Sequence, residues 1–291
     1  MPPLPDLSIR QLDYLVAVAD APTWALAAEH VGVSPSALSQ GLAELERRIG
    51  VPLFERDGRR RVIRTSAAPA VAHARQVLGL TGDLAAWSQR LRSGASGRLR
   101  IGMIDAAAVV HYPDVLRDYR VERPDVELML RVAPSAPLID LLRAGELDLV
   151  VCAEPPGDVP GVHVEALLEE TLAVYGPPGT ELGPPPTWGP WVLFPAGSHT
   201  RTVVVDELAR LGAPIEVIAE SHQPEVLREM VRLGSGWTVL PTAQAEHGDR
   251  PLGPGRHLTT RRLVLATREG SIADPAVEQV AARLGARRRS R

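Results

Sequence analysis

The chain has 291 residues, 45% of them apolar, which is enough for two or three domains with real cores and excludes a mainly disordered protein. Its formal net charge is −3, with all 32 positive side chains arginine, so nucleic acid is neither implied nor excluded: a basic patch fits inside a near-neutral total. A single cysteine, Cys152, excludes a disulfide framework and a cysteine-based zinc cluster, and without a long apolar run or signal core a soluble cytoplasmic protein is expected.

Residues 8–50 carry helical periodicity, with Pro22 and Pro35 at element boundaries. Ala27 and Ala28 keep one helix thin, so a second can cross it closely. His30-Val31-Gly32-Val33 supplies the corner, with Gly32 free to take positive φ and both valines expected inside. Ser34 is a good N-cap and Pro35 a good first helical residue. Leu38, Leu42, Leu45 and Ile49 then form one apolar face, while Ser36, Ser39, Gln40, Ala43 and Arg47 lie opposite. Small polar side chains let a helix enter a major groove, and Gln40 can pair bidentately with adenine. Beyond it, Pro52-Leu53-Phe54 and Val62-Ile63 can pair as a two-stranded wing. Arg56, Arg59, Arg60, Arg61 and Arg64 supply salt-dependent affinity for phosphates there. Alone, an alanine-rich helix pair is also ordinary core packing; the basic wing favours double-stranded DNA.

Thr65 to about Arg92 reads as one long helix, with Ala67, Val71, Ala74, Leu78, Leu84 and Leu91 recurring at helical spacing and Pro69 in the first turn. Ser93-Gly94-Ala95-Ser96-Gly97 is a short hinge. From Arg98 onward, apolar runs alternate with amphipathic stretches. Strands are expected at Leu99–Ile104, Val126–Val132, Leu147–Cys152, Leu172–Tyr175, Trp191–Phe194, Ile215–Ala219, Trp237–Leu240 and Leu263–Thr267. Helices are expected from Ile104 to about Val121 and over Ala136–Ala144, Val203–Leu211, Pro224–Leu233 and Pro275–Leu284, which implies parallel βαβ units. The overall class is α+β, with a helical head and an α/β body. The Arg287-Arg288-Arg289-Ser290-Arg291 tail reads as solvated.

Leu12-Asp13-Tyr14-Leu15-Val16-Ala17-Val18-Ala19, Ala27–Ser34, Ser39, Leu45-Glu46 and Gly50-Val51-Pro52-Leu53-Phe54-Glu55-Arg56 together resemble the LysR-type transcriptional regulators. The departures are Ala43 and Glu44 where the family usually has basic residues, Thr23-Trp24 before the second helix, and Thr65-Ser66-Ala67-Ala68 after the wing. The resemblance implies a winged helix-turn-helix over 1–65, a linker and dimerisation helix over 66–92 and a hinge over 93–97. It further implies a periplasmic-binding-protein-like effector domain of two subdomains, 98–166 with 268–291 and 167–267. The strands joining them would lie near His163–Leu172 and Leu263–Thr267. It implies a dimer or tetramer dimerising through Val71, Ala74, Leu78 and Leu84, a small-molecule effector in the cleft, and RNA polymerase as a further partner.

An enzyme with a helical extension is the competing class. The eight histidines are scattered, with no HxH or HExxH spacing, and no GxSxG, GxGxxG or P-loop is found; Gly234-Ser235-Gly236-Trp237 reads as a tight turn and Cys152 as core packing. Catalytic residues, metal and cofactor are therefore not expected. Ligands in open α/β sheets sit beyond the carboxyl ends of strands, which selects Asp105, Ala106, Pro134, Ser135, Ser198, His199, Thr200, Arg201, Ser221 and His222 as effector-binding candidates. Ser198–Arg201 either receive an anion at a helix start or simply cap that helix. Asp105 is either a plain N-cap or a cleft residue that repels a carboxylate and welcomes the amine of an amino-acid-like effector. A second alternative is a regulator whose body serves oligomerisation alone.

Overall fold

The computed structural model describes residues 6–58, 60–93, 97–248 and 250–286. They fall into two compact units, one running to Ser93 and including Arg143–Glu146 and Gly270–Ile272, the other holding the rest. Arg59, Gly94–Ser96 of the expected hinge and the Arg287–Arg291 tail lie outside the described residues, as do the side chains of Arg60 and Leu91.

In the first unit, α1 (Ile9–Asp20), α2 (Trp24–His30) and α3 (Pro35–Ile49) precede a hairpin of β1 (Phe54–Asp57) and β2 (Arg60–Ile63). A 3₁₀ turn at Thr65–Ala67 then leads into α4 (Ala68–Ser93). Each of the first three helices starts on a side-chain cap: Ser8 in a capping box with Gln11, Thr23 accepting from Leu26 N, and Ser34 accepting from Ala37 N at 3.2 Å. Gly32 (φ 68°) and Gly50 (φ 78°) take the left-handed backbone at the corner and at the end of α3. Leu12 and Leu15 of α1, Ala27 and Ala28 of α2, and Leu38, Leu42 and Leu45 of α3 form the core. Val31, Val33 and Ile49 are only half-buried at its margin.

Two expectations change. The wing begins at Phe54 rather than Pro52: Pro52 has no amide to donate, and the Leu53 and Phe54 amides are both bonded to Glu46 at the root of the hairpin. Val71 and Ala74 are buried in the head core, where α4 packs on α1, so they are not a free dimerisation seam. On the same helix Leu84 and Trp87 are exposed and Leu78 half-buried.

The second unit opens with β3 (Arg98–Met103), a π-helical turn at Ala106–His111 and α5 (Pro113–Glu122). The single helix expected through Val121 is interrupted because Pro113 lacks the N–H needed to continue it. β4 (Glu127–Val132), α6 (Ser135–Arg143), β5 (Leu149–Ala153) and β6 (Val162–Tyr175) follow. Then come a 3₁₀ turn at Pro185–Thr187, β7 (Trp191–Leu193), α7 (His199–Arg210), β8 (Val217–Glu220), α8 (Pro224–Arg232) and β9 (Thr238–Pro241). The unit ends with α9 (Thr242–Ala245), β10 (Arg256–Arg268) and α10 (Pro275–Ala286).

Six strands form one sheet in the order β4-β3-β5-β10-β6-β9, and β7 pairs with β8. β3, β4 and β5 are parallel, as are β7 and β8; β10 runs antiparallel to both β5 and β6, and β6 antiparallel to β9. The body is therefore mixed rather than wholly parallel. β6, at 14 residues, takes in both the expected joining strand near His163–Leu172 and the strand at Leu172–Tyr175, while β10, at 13 residues, begins well before Leu263–Thr267. Their mutual register breaks between His257 and Thr259 and between Leu263 and Val264. One core gathers β3, β5, α5, α6 and α10, with Ile101, Leu138, Val151, Val264 and Val280 all buried. Separate cores lie under α7 and α8; in one, Trp188, Trp191 and Trp237 sit with ring centroids 6.3–6.5 Å apart. No helix among the described residues is long and apolar enough to cross a membrane.

Candidate nucleic-acid interface and effector cleft

α3 is divided lengthwise. Leu38, Leu42 and Leu45 are fully buried, whereas Ser34, Pro35, Ser36, Gln40, Ala43 and Arg47 are exposed and Ser39 half-buried. The Ser34 and Ser36 hydroxyls are 2.9 Å apart at the helix start, where unpaired backbone donors face outward. Arg47 is 70% exposed but bound to Glu44, its Nε donating to Oε2 at 2.7 Å, and Arg48 Nε donates to the same carboxylate. These two arginines hold the Glu44 carboxyl down at about 2. Glu44 therefore both lowers the charge of this face and competes with phosphate for Arg47.

At the wing, Arg56 is exposed, and Arg60 stands in β2 opposite Asp57. Arg61 departs from the expected free cation. Its Nη2 donates to Glu46 Oε2 at 2.7 Å, and its guanidinium lies 4.9 Å from the Trp24 ring and 4.6 Å from the Phe54 ring. Trp24 Nε1 donates to the Arg61 carbonyl, and its ring meets Phe54 edge-on. Arg64 is also drawn inward, donating to the Phe54 carbonyl. Glu46 uses its other oxygen to accept from Leu53 N and Phe54 N, at 2.8 and 3.1 Å. The sequence reading missed this strut; the Leu45-Glu46 pair and the unusual Trp24 were its visible traces.

In the second unit, a cavity of about 270 Å³ opens beyond the ends of β3 and β4 and the start of α7. Asp105, Ala106, Pro134, Ser135, Ser198, Thr200 and His222 line it, as the sequence suggested. Three candidates do not. His199 turns its Nδ1 to the Ala153 carbonyl, Arg201 Nη1 donates to the Phe194 carbonyl, and Ser221 Oγ accepts from Gln223 N. The capping alternative for the α7 start does not hold: Ser198 makes no side-chain cap hydrogen bond, and Thr200 Oγ1 accepts from Arg261 Nη1 at 2.7 Å. Ser135 is partly committed, its Oγ accepting from Ala153 N. Asp105 stands at the N-cap position of the π-helical turn but makes no side-chain cap hydrogen bond; its Oδ1 accepts from Gln244 Nε2 at 2.7 Å.

Arg261 and Gln244 also line the cavity and were not foreseen. Arg261, on β10, is buried with its Nε donating to Glu170 Oε2 at 2.7 Å, and Glu170 Oε1 lies 2.6 Å from His111 Nε2. Despite burial, Arg261 and His111 hold the Glu170 carboxyl below its ordinary range. Asp105 behaves oppositely: burial first, then Glu225, raises its carboxyl above 3.8. An amine needs ionised Asp105, so affinity for an amine-bearing ligand should fall with pH, starting above the range of a solvated aspartate. Asp105→Asn should remove that dependence in calorimetric titrations carried from neutral into acidic pH.

The comparisons agree with this arrangement over both units. Residues 9–68 match the family model described as "Bacterial regulatory helix-turn-helix protein, lysR family", and residues 92–289 match "LysR substrate binding domain". The chain belongs to the LysR family of transcriptional regulators. This LysR-type regulator is 31% identical over 294 residues to a "Probable hydrogen peroxide-inducible genes activator" of Streptomyces viridosporus, covering 95% of this chain and 93% of that one. Two solved structures share its fold. One is the regulator CbnR complexed with its target DNA (TM-score 0.60, 19% identity, 97% of this chain and 100% of that one). The other is full-length LysG from Corynebacterium glutamicum with bound effector Arg (TM-score 0.62, 20% identity, 98% and 99%). The LysR-type regulator thus combines a DNA-binding helix-turn-helix with a C-terminal effector-binding domain, and the enzyme alternative is closed, because its relatives are regulators.

Proposed function

We propose that this regulator reads a pseudo-palindromic duplex as a dimer, or a pair of dimers, placing α3 of each head in a major groove, with successive grooves about one turn (~34 Å) apart. The observation that carries this is the split of α3: its leucines are buried, while Ser36, Gln40 and Ala43 face out. Ser34, Pro35 and Ser39 complete the groove face; Arg56, Arg59 and Arg60 hold the backbone, and Arg47 joins them on leaving Glu44. The exposed Leu84 and Trp87 of α4 fit a role in dimerisation. The protein works in the cytoplasm, beside RNA polymerase, and responds to a small effector carrying a carboxylate or an amino-acid-like head in the cavity at Asp105.

Thiolate-based peroxide sensing is not part of this reading, although one relative is named for hydrogen peroxide. The only thiol, Cys152, is fully buried, and burial pushes it up to about 12, so it stays protonated and unreactive. Fluorescence anisotropy on promoter DNA upstream of the gene tests the head. Gln40→Ala should cost about 1–3 kcal/mol of discrimination at one base position. Arg56→Ala should weaken all sequences alike and reduce the salt slope by about one. Equal affinity for operator and random duplex in the unmutated protein would defeat the assignment.

A further inference from the structure

We infer that the effector is a compact zwitterion of α-amino-acid type, its cationic end on Asp105 and its anionic end on Arg261. This rests on the reading of the cavity as the effector site, and on which valences in its wall are left open. Asp105 lines the cavity with its Oδ1 held by Gln244, and its Oδ2 has no partner among the described contacts, so one anionic oxygen of this residue is left open. Arg261 has five N–H donors. Nε and one on Nη2 go to Glu170, and one on Nη1 goes to Thr200, which leaves one on each Nη. Both remaining donors belong to a buried guanidinium held in place by Glu170 and Thr200, which suits a carboxylate more than any neutral group.

The surroundings favour both ends together. A carboxylate without an amine would bring a third anion beside Asp105 and Glu170, with Arg261 the one guanidinium among the described cavity-lining residues. An amine without a carboxylate would leave the two Nη donors unmatched, along with the uncapped first turn of α7 at Ser198. Glu170 and His111 do not face the ligand in this scheme; they are positioning residues that hold the guanidinium in plane. At about 270 Å³ the cavity is below the usual range for drug-sized ligands (~300–1,000 Å³) and matches a molecule the size of one amino acid.

The test is thermal stabilisation of the full chain, followed by calorimetry. The probes are the twenty L-amino acids, each matched with its decarboxylated amine and its deaminated acid. At least one amino acid should bind, and both its analogues should bind at least tenfold more weakly. Asp105→Asn should abolish the preference over the deaminated acid. The double substitution Glu170→Gln/Arg261→Gln, which leaves no unpaired buried charge, should abolish the preference over the amine. The inference is overturned by a plain amine or acid binding as well as its amino acid, or by substitutions that change affinity less than twofold in a folded protein. It is equally overturned if no amino acid binds while operator binding stays intact, an outcome that spares the DNA-reading head. Loss of operator selectivity would instead strike the proposed function.

Discussion

Replacing Arg261 by methionine is expected to destabilise the protein by about 3–5 kcal/mol, because it strands the buried Glu170 carboxylate without its cation. The side chains of Glu170 and Arg261 are 2% and 6% exposed, and the carboxylate's remaining described partner is His111. His111 is a poor substitute, since its Nδ1 is itself buried without a hydrogen-bond partner. Replacing both charges, Glu170→Gln with Arg261→Met, should recover much of the loss, since the cost lies in the unpaired charge rather than in the missing attraction. Urea unfolding of the two variants decides it; equal destabilisation of single and double would contradict the account. The same pair sets an acid limit. A carboxyl held below its ordinary value stabilises the fold above that value, 4.5, and the contribution is lost as pH falls through the depressed one.

Glu46→Ala should have the largest effect in the head, about 2–4 kcal/mol, because one carboxylate satisfies Leu53 N, Phe54 N and Arg61 together. Without it two amides at the root of the wing lose their acceptor. Arg61 would keep only its aromatic contacts with Trp24 and Phe54. DNA affinity should therefore fall more than stability alone explains, since β1 and β2 are no longer anchored to the end of α3. Comparing anisotropy with thermal melting separates the two; Glu46→Gln, which keeps an acceptor, should retain most of the stability. A melting temperature unchanged in Glu46→Ala would refute the strut.

The head was legible almost residue by residue because its signals are local: a cap at Ser34, a corner at Gly32 and leucines at helical spacing. The fate of Arg61 was not legible, because a basic run reads alike whether its members face water or an aromatic pair. In the body, strand positions were found where both faces are apolar, as at Leu149–Ala153. They were missed where charge interrupts the run. Arg261-Arg262 hid the first half of β10, and with it the cation that lines the cavity, while the Glu169-Glu170 part of β6 was reached only through the resemblance, as the joining strand near His163–Leu172. Those two charged pairs, facing each other in register, were the signal available. The strand-end rule found Asp105 and Ser198 yet over-reached to Arg201, because it names a loop and cannot say which side of a helix turn a long side chain takes.

β6 and β10 carry a constraint on how an occupied cavity can be felt elsewhere. The cores on either side of it are joined through a hydrogen-bonded ribbon and not through two independent tethers. Neither strand can bend without dragging the other, so rotation of one lobe against its neighbour has to be accommodated as torsion. The slack for torsion lies at the two places where the ladder slips register, one on each side of Arg261. In the inferred binding mode, a ligand gripping that guanidinium would act on the ribbon between these two register slips.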